Sequence, residues 1–265
     1  MPELRLSHRP HPYPFPVKFA LPSLRVWLLP WVAALGLVAA AGCERTLAPP
    51  ISGELYYPLR DSAERVYRVE DTTYTVSGAV VNRYRKREYT LGTVTDLTGR
   101  PLSRLEIYRA PLDVGPFTFR ELWTQFRSSE RAERTEGNTR YVVMNFPLRR
   151  GKTWDVNLFN NNAVGSDDDR LWARAVVGNM DTTVVLNGTR YTRCIFIRHR
   201  KDKSDSRDIY TYEIYAPGIG KIERYDRYMV YDIVPRPGGG VNFVLNTNSY
   251  IYREQLLSHT YPLTP

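Results

Sequence analysis

From residue 54 onward the apolar residues never keep the three-and-four spacing of an amphipathic helix. Runs rich in Val, Ile, Thr, Tyr and Phe recur instead, divided at short intervals by Gly, Pro, Asn and Asp. That pattern predicts strands at 64–76, 83–95, 102–110, 117–127, 129–135, 139–146, 170–178, 181–186, 190–200, 208–216, 219–232 and 242–254. Turn signals separate them, among them Leu97-Thr98-Gly99-Arg100, Glu136-Gly137-Asn138 and Pro237-Gly238-Gly239-Gly240. The sharpest lies in TTVVLNGTRYTRCIFI, where Asn187-Gly188 supplies the two positive-φ positions of a tight hairpin. Links this short demand antiparallel neighbours, because a parallel return needs a crossover of a dozen or more residues. The predicted fold class is therefore mainly β, an antiparallel meander of about a dozen strands curled into a barrel or half-barrel so that few edges stay open.

The stretch EIYAPGIGKIERY, residues 213–225, raises the question of a phosphate-cradling loop. A dinucleotide loop needs GxGxxG between a strand and a helix. Here the third glycine is missing, and KIERYDRYMVYD continues as a strand. Pro217-Gly218 fits a turn and Gly220 a bulge or close backbone approach, so these residues are expected to join two strands. No cofactor is predicted.

The first 42 residues carry a different pattern. Arg5, Arg9, Lys18 and Arg25 precede an uncharged stretch from Val26 to Ala41 that ends in small residues and Cys43. This reads as an export signal. The stretch, interrupted by Pro30, is shorter than the roughly 20 residues a membrane helix needs. LGLVAAAGC resembles the lipobox of bacterial lipoproteins, which implies acylation of Cys43 and a mature chain beginning there. Each buried methylene of an acyl chain stabilises membrane attachment by about 0.8 kcal/mol. Residues 43–53 then form a lipidated N-terminus and tether, and 54–265 a single β-rich domain. By analogy with other lipoproteins, Glu44 rather than Asp after the cysteine points to the outer membrane.

Composition adds two limits. The whole chain carries a formal charge of +9; removing residues 1–42 takes away four of its 37 basic and one of its 28 acidic residues, leaving +6. For an exported chain, such a modest excess points to anionic headgroups or sugars rather than nucleic acid. With Cys43 acylated, Cys194 is the one cysteine left, so no intrachain disulfide forms, and its apolar neighbours in RCIFIRH predict a buried thiol. On an extended strand His199 would face away from it.

Three stretches, ELYYPLRDSAERVYRV, MNFPLRRGKTWDVN and YEIYAPGIGKIERY, resemble in content and order pieces of uncharacterised cell-envelope lipoproteins of the Bacteroidota. The resemblance spans most of the mature sequence. It implies a β-rich envelope lipoprotein and carries no activity with it.

Candidate chemistry is sparse. In FTFRELWTQF, strand alternation would place Phe117, Phe119, Glu121 and Trp123 on one face, a carboxylate among aromatics that suits a ligand cavity or a buried ion pair. Trp154, Trp172, Tyr210 and Tyr212 offer rings that suit sugar stacking, lipid packing or an ordinary core. RYRKREY at 83–89 and RHRKDKSDSRD at 198–208 read as strand ends and a solvated hairpin. SDDD at 166–169 lacks the spacing of a calcium loop, and no metal site is predicted. Neither GxSxG, HExxH, a P-loop nor paired cysteines occur. The two carboxylates of a glycosidase would carry no local signature, so that reading stays open beside the leading one. The leading expectation is a non-catalytic envelope lipoprotein that binds a hydrophobic or amphiphilic ligand or an envelope partner; a surface glycan-binding or glycan-cleaving lipoprotein is the second, and a structural or assembly role without a ligand the third.

Overall fold

The computed structural model describes residues 52–160 and 174–261. A short 3₁₀ helix, Gly53–Tyr56, leads into six strands: β1 (Glu64–Thr75), β2 (Gly78–Thr95), β3 (Pro101–Pro111), β4 (Thr118–Arg127), β5 (Arg131–Glu136) and β6 (Thr139–Asn145). Eight more follow: β7 (Thr153–Asp155), β8 (Arg174–Val177), β9 (Thr182–Leu186), β10 (Thr189–Ser204), β11 (Arg207–Ala216), β12 (Gly220–Pro235), β13 (Val241–Leu245) and β14 (Tyr250–His259). The fold is mainly β. Twelve strands form one path in the order β6-β5-β4-β3-β2-β1-β14-β12-β11-β10-β8-β7, with β13 paired to β12 and β9 to β10. Every pairing is antiparallel, and the path curls into a nearly closed barrel.

Most of this is the expected meander. The departure is β14, which slots between β1 and β12 and so ties the end of the chain to its beginning. The expected strand 242–254 is two strands, β13 and β14, because Ser249 N–H bonds back to the Asn246 carbonyl in a turn. Part of the expected strand 170–178 lies outside the described residues, which begin again at Arg174.

Turn chemistry explains the hairpins. Asn187 and Gly188 have φ of 49° and 79° and join β9 to β10 tightly. At the β3 entry, the Asp96 carboxylate accepts from the backbone N–H of Thr98 (2.9 Å) and Arg100 (3.0 Å). Between β11 and β12, Gly218 (φ 77°) turns the chain and Gly220 (φ 94°) sits against the Arg65 guanidinium, where a Cβ would collide. The glycines of EIYAPGIG therefore serve a strand-to-strand turn.

The barrel's last seam, between β6 and β7, is closed mainly by side chains. Val142 N–H donates to the Val156 carbonyl, and the Trp154 indole N–H donates to the Val142 carbonyl, both at 2.9 Å. Two residues along, the Asn160 side-chain amide donates to the Arg140 carbonyl (2.8 Å) and accepts from its N–H (3.3 Å). An amide side chain thus supplies the donor and acceptor a partner strand would offer.

One end of the barrel is plugged. The 3₁₀ segment spans it: the Leu55 carbonyl accepts from Gly218 N–H, Tyr56 OH donates to the Arg193 carbonyl, and Gln125 donates to Tyr57 OH. Arg127 on β4 donates to the carbonyls of Glu54 and Tyr57. Apolar packing concentrates around this end and the seam, with Ile195, Ile197, Met144 and Tyr215 fully buried in one cluster and Tyr67, Val69, Ile222 and Leu256 in another. Burying each such side chain stabilises the fold by about 1.5–3 kcal/mol. No helix among the described residues is long and apolar enough to cross a membrane.

Candidate functional site

Contacts between strands that are not neighbours define the concave face. Lys221 on β12 reaches Glu88 on β2 (3.1 Å) across β14 and β1, and Lys86 reaches Glu254 on β14 (3.3 Å) across β1. The longer of these, over two intervening strands, fits side chains projecting into the concave side of a curved sheet. The lumen is therefore charged rather than oily. Its innermost layer holds Glu88 and Glu254 between Lys86, Lys221 and Arg65, with Tyr67 OH donating to Glu88 and Tyr252 OH to Glu254.

Burial would raise the Glu88 carboxyl, but Lys221, Lys86 and Arg65 outweigh it and hold the group well below the usual carboxylate range. Glu254 is likewise lowered, burial being overcome by Lys221 and Lys86. For Lys86, burial pulls down but Glu254 and Glu88 win, and the ammonium is favoured more strongly than usual. The layer is a fixed ionic floor. It lies next to the plug, since Arg65 also donates to the Ile219 carbonyl at 3.2 Å.

Above this floor the lumen holds two adjoining chambers. The larger, about 370 Å³, is bounded by Asp71, Lys86, Glu121, Trp123, Asp226 and Tyr252 among others. The smaller, about 280 Å³, lies towards the seam, with Arg134, Tyr141, His199 and Glu213 in its wall. Glu136 and Arg224 belong to both. A third hollow at the mouth shares Asp71 and Arg109 with the larger chamber.

The smaller chamber contains an imidazole–carboxylate pair. His199 Nε2 lies 3.0 Å from Glu213 Oε2, which also accepts from Tyr215 OH. Burial would raise Glu213, but His199 and then Arg134 and Lys221 bring it well below the usual range. Arg134 pairs with Glu136 at 2.6 Å and lies over the Trp123 ring.

Of the residues expected to bind a ligand, the lumen collects two. Trp123 and Glu121 both line the larger chamber, the indole donating to the carboxylate at 2.8 Å. Phe117 and Phe119 do not share their face. A β-bulge pairs Ile107 with Glu121 but Tyr108 with Phe119, so the extra β4 residue swings Phe119 outward, where it is 51% exposed and packs edge-on against Tyr108. Phe117 lies under Arg85 and Arg87, also outside. Trp154 is buried at the seam. Tyr210 and Tyr212 face outward, Tyr212 standing between Phe196 and Tyr225 in a ladder across three strands. Trp172 and the SDDD stretch lie outside the described residues.

Cys194 is fully buried, and burial pushes its thiol up to about 11, so it is held as the inert thiol. RYRKREY is only partly a solvated strand: Arg83 makes an exposed pair with Glu70, whereas Lys86 and Glu88 turn into the lumen. Among the described residues no group of three His, Cys, Asp or Glu side chains converges to hold a metal ion.

The residues that sequence reasoning missed carry a readable signal. Cations and carboxylates recur two positions apart and pair on their own strand: Lys86–Glu88, Arg104–Glu106, Arg131–Glu133, Arg134–Glu136 and Arg224–Asp226. Residues two apart share a face of a strand. Aromatic donors follow the same rule, with Tyr108 on Glu106, Trp123 on Glu121, Tyr215 on Glu213 and Tyr252 on Glu254. Buried charge is tolerated here because each strand brings its own partners.

No protein-family model matches the chain, and no curated protein or solved structure matches it.

Proposed function

We propose that this chain is an exported lipoprotein, anchored through Cys43, whose barrel holds a small amphiphilic molecule in its lumen without converting it. The observation that carries this reading is the pair of adjoining chambers, about 370 and 280 Å³, walled by ion pairs and by Trp123, Tyr250 and Tyr252. A lumen meant only for stability would be filled by side chains; this one is floored by a satisfied ionic layer and left roomy above it. The charged lining favours an amphiphilic or polar occupant over a purely hydrophobic one, because transferring an oily ligand there desolvates charges without replacing their hydrogen bonds. Anchoring rests on LGLVAAAGC, with the outer membrane as the proposed location.

The test is native mass spectrometry of the full chain, extracted from its own envelope in mild detergent. The expected result is a mature N-terminus at Cys43 carrying acyl mass, with a small molecule bound at unit stoichiometry. Retention of residues 1–42 would overturn the anchoring, and an empty barrel from every preparation would overturn the ligand.

A further inference from the structure

In the larger chamber Lys86 and Arg224 are ion-paired, while one buried carboxylate oxygen has no donor among the described residues. Lys86 is held by Glu88 and Glu254, Arg224 by Asp226, and Arg109 stacks its guanidinium 4.7 Å from the Tyr84 ring centroid. On the acidic side, Asp226 is 4% exposed, and its Oδ2 takes both Arg224 Nε (2.8 Å) and Arg224 Nη2 (2.7 Å). No donor from the described residues reaches Asp226 Oδ1. A buried acceptor left unmatched is destabilising, and a charged one more so. Glu121 accepts from the neutral Trp123 indole and makes no ion pair among the described residues. Asp71, at the same chamber's wall, is raised by burial against the lowering effect of Arg109.

The need is thus for a donor to the buried Asp226 Oδ1 and for positive charge beside the solvent-exposed Glu121 carboxylate, in a chamber lined by the rings of Trp123, Tyr250 and Tyr252. An ammonium group answers both needs at once, since it brings three donors and a compensating charge and is attracted to aromatic faces. A hydroxyl brings one donor and no charge. An anion would meet Lys86 and Arg224 already paired with Glu88, Glu254 and Asp226, and Arg109 sharing the wall with Asp71 and Glu121.

We propose that this chamber binds the ammonium end of a small organic amine, with Asp226 Oδ1 accepting its N–H and Glu121 supplying the opposing charge. The proposal deepens the lumen-ligand reading and rests on it.

The experiment is calorimetric titration of the full chain in detergent with three probes of equal chain length: the diamine cadaverine, pentanediol and the dianion glutarate. Cadaverine is expected to bind at least about tenfold more tightly than pentanediol, and glutarate not at all. Glu121→Gln and Asp226→Asn should each weaken cadaverine by about tenfold or more. Asp226→Asn leaves Arg224 without its partner, so thermal unfolding accompanies it; Glu121→Gln breaks no ion pair and keeps the test decisive if the first variant fails to fold. Equal binding of diamine and diol, preference for glutarate, no binding of cadaverine, or wild-type affinity in Glu121→Gln would each overturn the assignment. If cadaverine fails while native mass spectrometry finds a neutral or anionic molecule in the barrel, the ammonium falls and the lumen reading stands. If both come back empty, both fall.

Discussion

Gly220 shows how one position can be fixed by two independent demands. Its φ of 94° suits glycine alone, and the space a Cβ would fill already holds the Arg65 guanidinium, with the Pro58 ring beyond it. Arg65 cannot retreat freely, because it donates to the Ile219 carbonyl and pairs with Glu88, both at 3.2 Å. Gly220→Ala is therefore expected to lose about 1–3 kcal/mol from backbone strain, with a further loss as Arg65 is pushed off Glu88. Urea unfolding measures it, and Gly99→Ala, strained by its own φ of 81° but with open space around the new methyl, separates the two contributions. At Glu254, fully buried between Lys86 and Lys221, the demand is charge. Glu254→Gln leaves three cations sharing the single carboxylate of Glu88, and the expected destabilisation is about 3–5 kcal/mol. A loss below about 1 kcal/mol would mean the floor is solvated in practice.

Among the elements, the seam is the weakest join, because β6 and β7 meet over a few residues and side chains complete the ladder. Asn160→Ala removes both bonds to the Arg140 backbone and should cost about 1–3 kcal/mol. Its signature is local: faster hydrogen exchange at the Arg140 and Val142 amides, with little change on β1 or β2. Uniform loss of protection would argue instead that the seam unfolds with the whole barrel. The strands themselves were legible because Tyr, Val, Thr and Ile runs broken by turn residues are a local signal. Asn187-Gly188 marks a hairpin whatever surrounds it. The three-residue strand β7 was too short to register, and Asn246 to Ser249 passed unnoticed inside a run that is β-rich on both sides. The insertion of β14 between β1 and β12 has no local signal at all, since it is a pairing between residues nearly two hundred apart, such as Arg65 with His259.

For the molecule as a whole, the site was harder to read than the fold for one physical reason: charges stand on both faces of most strands, so alternation does not say which face is inside. Glu121 and Trp123 were found because an aromatic flanked a carboxylate, while Lys86 and Glu88 read as a strand end and Arg134 and Arg224 carried no signal that singled them out. Their burial makes the barrel's stability depend on acid. Glu88, Glu213 and Glu254 are all held below the usual carboxylate range in the fold, where cationic neighbours overcome burial; Glu133 is lowered as well, by Arg131 and Arg140. A carboxylate depressed in the folded state contributes stability that is fully present above its unfolded value, about 4.3 for Glu, and lost as pH falls through the folded value. His259 adds a slope of the same sign, because burial lowers its pKa and unfolding lets it take up a proton near its ordinary value. Lys86 acts at the other extreme, its contribution full below its unfolded value near 10.4 and lost only above that. The urea midpoint should thus stay level from about pH 7 to 9 and fall steeply below about pH 4, with protons taken up on unfolding. Added salt should change this little, since most of the pairs are buried. Glu254→Gln should start from a lower plateau and fall less steeply. A midpoint unchanged between about pH 5 and 3 would mean that the lumen carboxylates are not ionised in the fold, and with that the charged floor beneath the chambers would be lost.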